Sequence, residues 1–169
     1  MNAKLTAWNA AGEAAALDTI IACCGARRWA KAMVAQRPIE FEEKVFAVAD
    51  RIWSTMEKPD WMEAFACHPR IGERKAAHAT AKSKEWSQQE QSSAGSAAQE
   101  VLARLARGNA LYEERFGFTY IVCATGKSAE EMLAILERRL KSDRETELRE
   151  AAEQQRQITQ IRLRKWLTE

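Results

Sequence analysis

Proline and glycine are scarce in this chain of 169 residues, which holds three of the first and seven of the second. A sheet protein with many tight turns needs more of both, whereas abundant alanine with few breakers favours helix. Histidine occurs only at His68 and His78, and cysteine only at Cys23, Cys24, Cys67 and Cys123. No C-x-x-C pair is present, so neither residue type has zinc-ligand spacing, and no metal is expected. The thiols read as small buried hydrophobes in a reducing compartment, which predicts a cytoplasmic protein. Charge of one sign is also missing: Lys and Arg exceed Asp and Glu by 26 − 24 = 2. That balance predicts no nucleic-acid and no membrane partner. No apolar run approaches the ~20 residues of a membrane span. Glu13 and Asp18 interrupt the first apolar residues, so no signal peptide is expected, and Trp166-Leu167-Thr168-Glu169 is no peroxisomal address.

What is present is 46% hydrophobic and 30% charged, as in ordinary globular domains. The length suits one domain with a sizeable core. Residues 1–169 are expected to form a single all-α domain. Leu5 and Trp8, then Leu17, Ile20, Ile21 and Cys24, recur at helical spacing, with Gly12 and Gly25 as breaks. Trp29, Ala32 and Met33 predict a short helix ending near Arg37-Pro38. Val45, Val48, Ala49, Ile52, Trp53 and Met56 form an apolar stripe that Lys58-Pro59-Asp60 punctuates. A two-turn helix from Trp61 ends near His68, because the residue before a proline is pushed out of the α region. Residues 70–85 read as a polar connector with one helical turn around Ala76-Ala77, and His78 as a solvated side chain. From Ser87, residues Ala94, Ala97, Ala98, Val101, Leu102, Leu105, Asn109 and Tyr112 predict a helix of about seven turns ending before Gly117, interrupted by Gly95 and Gly108. Ser128-Ala129-Glu130-Glu131 is a capping-box pattern opening a helix through Leu140. A last helix spans about Glu145 to Trp166.

Phe118 to Ala124 is the only β-favouring run. With no second strand to pair with, it reads as an extended buried segment near residues 118–125. Its backbone N–H and C=O groups must find side chains, water or a ligand, which makes Tyr120, Ile121, Val122, Cys123 and Ala124 a candidate binding wall.

Three positions carry candidate chemistry. His68 titrates near neutrality and sits at a helix terminus beside a bend, where it either exchanges protons with a ligand or caps carbonyls. Ser87 and Glu90 have the spacing of a capping box, and the same N-terminal turn, with Gln91, offers free N–H groups to an anion. Arg162 shares its helical phase with Leu148, Ala151, Ile158 and Trp166. A guanidinium there needs a partner: Glu90, or the carboxylate or carbonyl of a substrate.

Cys67-His68-Pro69 with Ile71-Gly72, then Ser87-x-x-Glu90-Gln91, resemble the family of 2-oxo-4-hydroxy-4-carboxy-5-ureidoimidazoline (OHCU) decarboxylases. Asn109-x-x-Tyr112, Arg115-Phe116-Gly117-Phe118, Ile121-Val122-Cys123-Ala124, Arg138-Arg139-Leu140, Glu147 and Ile158-x-x-x-Arg162-Leu163 continue the likeness in order. Ile39 follows Arg37-Pro38 where the family has an aromatic, and Arg70-Ile71 stands where many members have Asp-Leu. The resemblance implies an all-helical, cofactor-free, usually homodimeric enzyme that removes CO2 from OHCU and yields (S)-allantoin. It implies His68 as proton donor, with Glu90 and Arg162 as further catalytic residues. Pro69, Ser87, Gln88, Gln89, Gln91 and Tyr120 to Ala124 then line the substrate pocket. Two other readings remain at this point. One is a helical scaffold with an exposed Arg162 and a purely capping Ser87 and Glu90. The other is a hydrolase or isomerase of a related ureido compound that releases no CO2.

Overall fold

The computed structural model describes residues 2–72, 79–92 and 98–169, and in these it is helical without a strand. The helices are α1 (Ala3–Ala10), α2 (Glu13–Ile20), α3 (Arg27–Ala35), α4 (Glu42–Trp53), α5 (Lys58–Ala66), α6 (Ala81–Glu90), α7 (Gln99–Phe116), α8 (Ala129–Arg139) and α9 (Arg144–Thr168). None is long and apolar enough to cross a membrane. The expected turn at Ala76-Ala77, His78, and the helical positions Ala94, Gly95 and Ala97 lie outside the described residues. Contacts divide the chain into two units: Met1–Ala64 with Arg156–Glu169, and Phe65–Gln155.

In the first unit, the apolar stripes of α1 to α4 become its interior. Leu5, Trp8, Ala16, Ile20, Trp29, Met33, Val45, Ala49 and Ile52 are buried. Two buried indoles satisfy their N–H groups on backbone carbonyls: Trp8 donates to Ala16 O at 2.9 Å and Trp29 to Ala49 O at 3.2 Å. Trp166 meets Trp8 edge-on, with centroids 5.6 Å apart. Arg37 donates to Trp8 O and Ala11 O, each at 2.7 Å, and so satisfies carbonyls at the C-terminal end of α1. Lys58-Pro59-Asp60 proves to be the first turn of α5. Proline loses nothing there, and the Asp60 carboxylate accepts from Glu57 N–H at 2.9 Å.

In the second unit, α7 packs on α8. A Cβ at Gly108 would lie 2.6 Å from Leu136 Cδ2, so the glycine that weakens α7 as an isolated helix permits this approach. Gly117 ends α7 with φ 79°, a left-handed cap whose N–H reaches Glu113 O at 2.8 Å. The capping box expected at Ser128 is present: Ser128 Oγ accepts from Glu131 N–H at 3.1 Å, and the Glu131 carboxylate from Ser128 N–H at 2.7 Å.

The capping box expected at Ser87 is not formed. Helix α6 begins six residues earlier, where Thr80 accepts from Ser83 N–H at 3.0 Å, and Ser87 to Glu90 form its last turn. Gln91 is the C-cap, its N–H bonded to Ser87 O at 3.2 Å. The long helix begins at Gln99 rather than Ser87. Ser and Glu three apart suit a helix interior as well as an N-terminus, and the threonine captured the start. The anion-binding argument for Ser87, Glu90 and Gln91 at a positive helix end is therefore withdrawn.

Both tyrosines of the chain, Tyr112 and Tyr120, are buried in this unit. Burial pushes both phenols far above their ordinary value, with the Arg139 guanidinium opposing. A folded value above the unfolded one means that the native state keeps these protons where the unfolded chain releases them. Their contribution is whole below pH ~10 and is lost as pH rises beyond it. In an alkaline titration, phenolate absorbance is expected to appear only together with loss of helical circular dichroism. Phenolate formed near pH ~10 with the helices intact contradicts this burial.

Candidate active site

The second unit gathers most of the expected site residues. Helix α5 ends at Ala66, and His68 follows in the turn, its N–H bonded to Phe65 O at 3.1 Å. The imidazole is half-buried, and its Nε2 lies 2.7 Å from Oε1 of the fully buried Gln155 on α9. Pro69 is buried beside it. The turn is held from two sides. Gly72, at φ 88°, donates its N–H to Gln91 Oε1 at 3.0 Å, and Asn109 Nδ2 donates to Ile71 O at 3.3 Å. Arg70 forms a two-pronged pair with Glu113 of α7 at 2.7 and 2.6 Å.

Helix α6 buries Ser83, Trp86, Ser87 and Glu90, which at i, i+3, i+4 and i+7 share one face. That face is mostly polar. Burying a hydroxyl or carboxylate costs free energy unless it is hydrogen-bonded, so each of these groups has to be held by a partner. Gln88 and Gln89 lie on the opposite side and are exposed, with Gln89 Nε2 3.5 Å from Glu85 Oε1.

The run from Phe118 to Ala124 forms neither helix nor strand, and Tyr120 to Ala124 are all buried. Its backbone groups find side chains, as expected for an unpaired segment. Cys123 N–H donates to Gln154 Oε1 at 2.8 Å, while Cys123 O accepts from Lys127 Nζ at 2.7 Å. Ile121 O accepts from Arg139 Nη1 at 2.5 Å. Arg139 is itself buried, paired through Nε with Glu147, which also accepts from Tyr112 OH at 2.8 Å. Burial raises the Cys123 thiol above its ordinary value, Lys127 opposes, and Glu90 adds to the rise.

Arg162 lies in the first unit, 2% exposed, with Nη1 3.4 Å from Ala22 O. The exposed Arg162 that a scaffold reading requires is not found. Burial pushes the Cys23 thiol far up, with Arg162 opposing.

Gln154, Gln155, Arg139, Glu147 and Lys127 were not assigned site roles from the sequence. The phase argument that singled out Arg162 applies to three of them. Gln155 falls on the α9 stripe with Leu148, Ala151 and Ile158, Glu147 borders that stripe, and Arg139 follows Met132 and Leu136 on α8.

The unit thus offers a half-buried imidazole held by a buried amide, a buried carboxylate on a polar helix face, and a non-helical wall with pinned carbonyl and amide groups. Imidazoles and buried carboxylates are the residue types from which acid–base sites in helical proteins are built. The chain belongs to the OHCU decarboxylase family, whose model, described as OHCU decarboxylase, matches residues 9–164. It is 35% identical over 144 residues to the uric acid degradation bifunctional protein TTL of Arabidopsis thaliana, covering 85% of this chain and 44% of that one. It is 38% identical over 101 residues to the 2-oxo-4-hydroxy-4-carboxy-5-ureidoimidazoline decarboxylase of Amia calva, covering 57% and 55% of the two. The chain therefore spans about half the length of these curated relatives. Its fold matches a crystal structure of OHCU decarboxylase in the presence of (S)-allantoin with a TM-score of 0.77 and 32% identity, over 90% of this chain and 99% of that one.

Proposed function

We propose that this protein removes CO2 from OHCU and forms (S)-allantoin in urate breakdown, without a cofactor, as a cytoplasmic homodimer whose residues 1–169 act as one catalytic domain. The observation that carries the chemistry is the half-buried His68 imidazole, held at 2.7 Å by Gln155 in the unit that also buries Glu90 and Tyr120 to Ala124. Family membership supplies the substrate.

Decarboxylation breaks the C–CO2 bond and leaves its electron pair on the ring. The conjugated C=N of the imidazoline accepts that pair, so no pyridoxal or thiamine sink is needed. The adjacent ring carbon, which becomes the stereocentre, then takes one proton on one face, while the hydroxyl-bearing carbon becomes a carbonyl and its hydroxyl proton passes to the ring nitrogen that took the pair. His68 delivers the proton. Glu90 accepts a hydrogen bond from the substrate hydroxyl, and Arg162 binds carboxylate or carbonyl through its fork. Pro69, Ser87, Gln91 and Tyr120 to Ala124 line the pocket. Gln88 and Gln89, being exposed, are dropped from the lining.

The test generates OHCU in situ and follows CO2 and the optical activity of the allantoin, because OHCU also decays unaided. The expected result is accelerated CO2 release with accumulation of (S)-allantoin and no dependence on added metal. Racemic allantoin at the uncatalysed rate defeats the reading, and turnover of OHCU without CO2 returns it to the hydrolase or isomerase class. Size measurement in solution tests the homodimer.

A further inference from the structure

We propose that Gln155 is a positioning residue that sets the tautomer of His68: it keeps a ring proton on Nε2 and leaves Nδ1 as the nitrogen that exchanges a proton with substrate. The catalytic consequence rests on the decarboxylase reading above, whereas the tautomer does not.

The ring nitrogen and the amide oxygen are 2.7 Å apart. A contact of that length requires a proton between them. An amide oxygen carries none, so His68 Nε2 supplies it. Gln155 is fully buried in the middle of α9, so its backbone is fixed on a long helix. The preceding amide is held at both ends: Gln154 Oε1 accepts from Cys123 N–H at 2.8 Å, and its Nε2 donates to Glu150 at 3.0 Å. Two successive glutamines thus tie one helix to the His68 turn and to the non-helical wall.

The chemical consequence follows from the proton count. A protonated imidazole carries one proton on each nitrogen. With Nε2–H committed to Gln155, the proton delivered to carbon leaves Nδ1. The Nδ1–H bond breaks, the C–H bond forms, and the ring is left as the neutral Nε2–H tautomer that Gln155 already favours. No ring rotation or tautomer exchange is needed before His68 takes its next proton from solvent, which its half-buried position allows.

The experiment is 15N NMR of protein labelled in histidine, at a pH where the rings are neutral. His78→Asn leaves a single imidazole and assigns His68. The expected wild-type spectrum shows Nε2 protonated and Nδ1 as the bare nitrogen. Gln155→Leu is expected to move both signals toward the average of exchanging tautomers, while Gln155→Glu, which retains an acceptor oxygen, keeps the proton on Nε2. In turnover, Gln155→Leu is expected to lower kcat for (S)-allantoin by roughly tenfold or more with KM within about threefold. A bare Nε2 in the wild type means that the amide donates to the ring, and overturns the proposal, as does an unchanged tautomer in Gln155→Leu. If Gln155→Leu fails to fold, the wild type and Gln155→Glu decide. Failure of the decarboxylase reading alone has a different signature: no catalysed CO2 release, with the Nε2–H pattern intact.

Discussion

His68→Asn is expected to melt within about 1 kcal/mol of the wild type and to lose at least ~100-fold in the rate of (S)-allantoin formation. The two readouts separate for physical reasons. The imidazole is half-buried, so removing it opens no large cavity, and asparagine still offers a polar group to Gln155. Asparagine has no proton to exchange near neutral pH. Glu90→Gln gives the matching test of charge. Because Glu90 lies in the last turn of α6 and not at its start, and glutamine keeps the shape of the side chain, loss of turnover in a stably folded variant reports on the carboxylate charge. Full activity in His68→Asn would show that the protonation is carried by another group or by water.

Arg139→Met is expected to destabilise the protein by about 3–5 kcal/mol, the range for stripping one partner from a buried ion pair. At roughly 2–4 °C per kcal/mol for a chain of this size, the melting temperature falls by about 10 °C. The substitution leaves the Glu147 carboxylate, 1% exposed, with the Tyr112 hydroxyl but without its cation. It also releases Ile121 O and the rings of Tyr120 and Tyr112, which face the guanidinium at 5.0 and 5.8 Å. Arg139→Met combined with Glu147→Leu is expected to recover much of the loss, since the stranded charge is then gone. A single-variant loss below about 1 kcal/mol, the range of exposed pairs, would mean that water reaches the pair. Activity measured on the same variants reports whether pinning Ile121 O matters to the pocket wall.

Periodicity determined most of the helical pattern. The stripe of α4, the capped start of α8 and the phase of α9 were legible because side chains three and four apart must share a face, and an apolar face must be buried. The same rule marked Arg162 as buried, and it is 2% exposed. Phe118 to Ala124 was legible as a buried run without a sheet partner, because the rest of the chain holds no second β-favouring stretch.

Other features depended on what each segment packs against. Ser87-x-x-Glu90 has the local chemistry of a helix start, and only the capture of α6 by Thr80 turned it into a helix end with a buried polar face. Gly108 reads as a flaw in α7 until Leu136 is seated against it. The partner of His68 was the least legible of all. Nothing in the local sequence pairs His68 with Gln155, 87 residues away, yet its Nε2 lies 2.7 Å from that amide oxygen. Helical phase states that a side chain is buried, but not which group from a distant element it meets. That choice is made by packing, which here sets a neutral amide of α9 against the His68 ring.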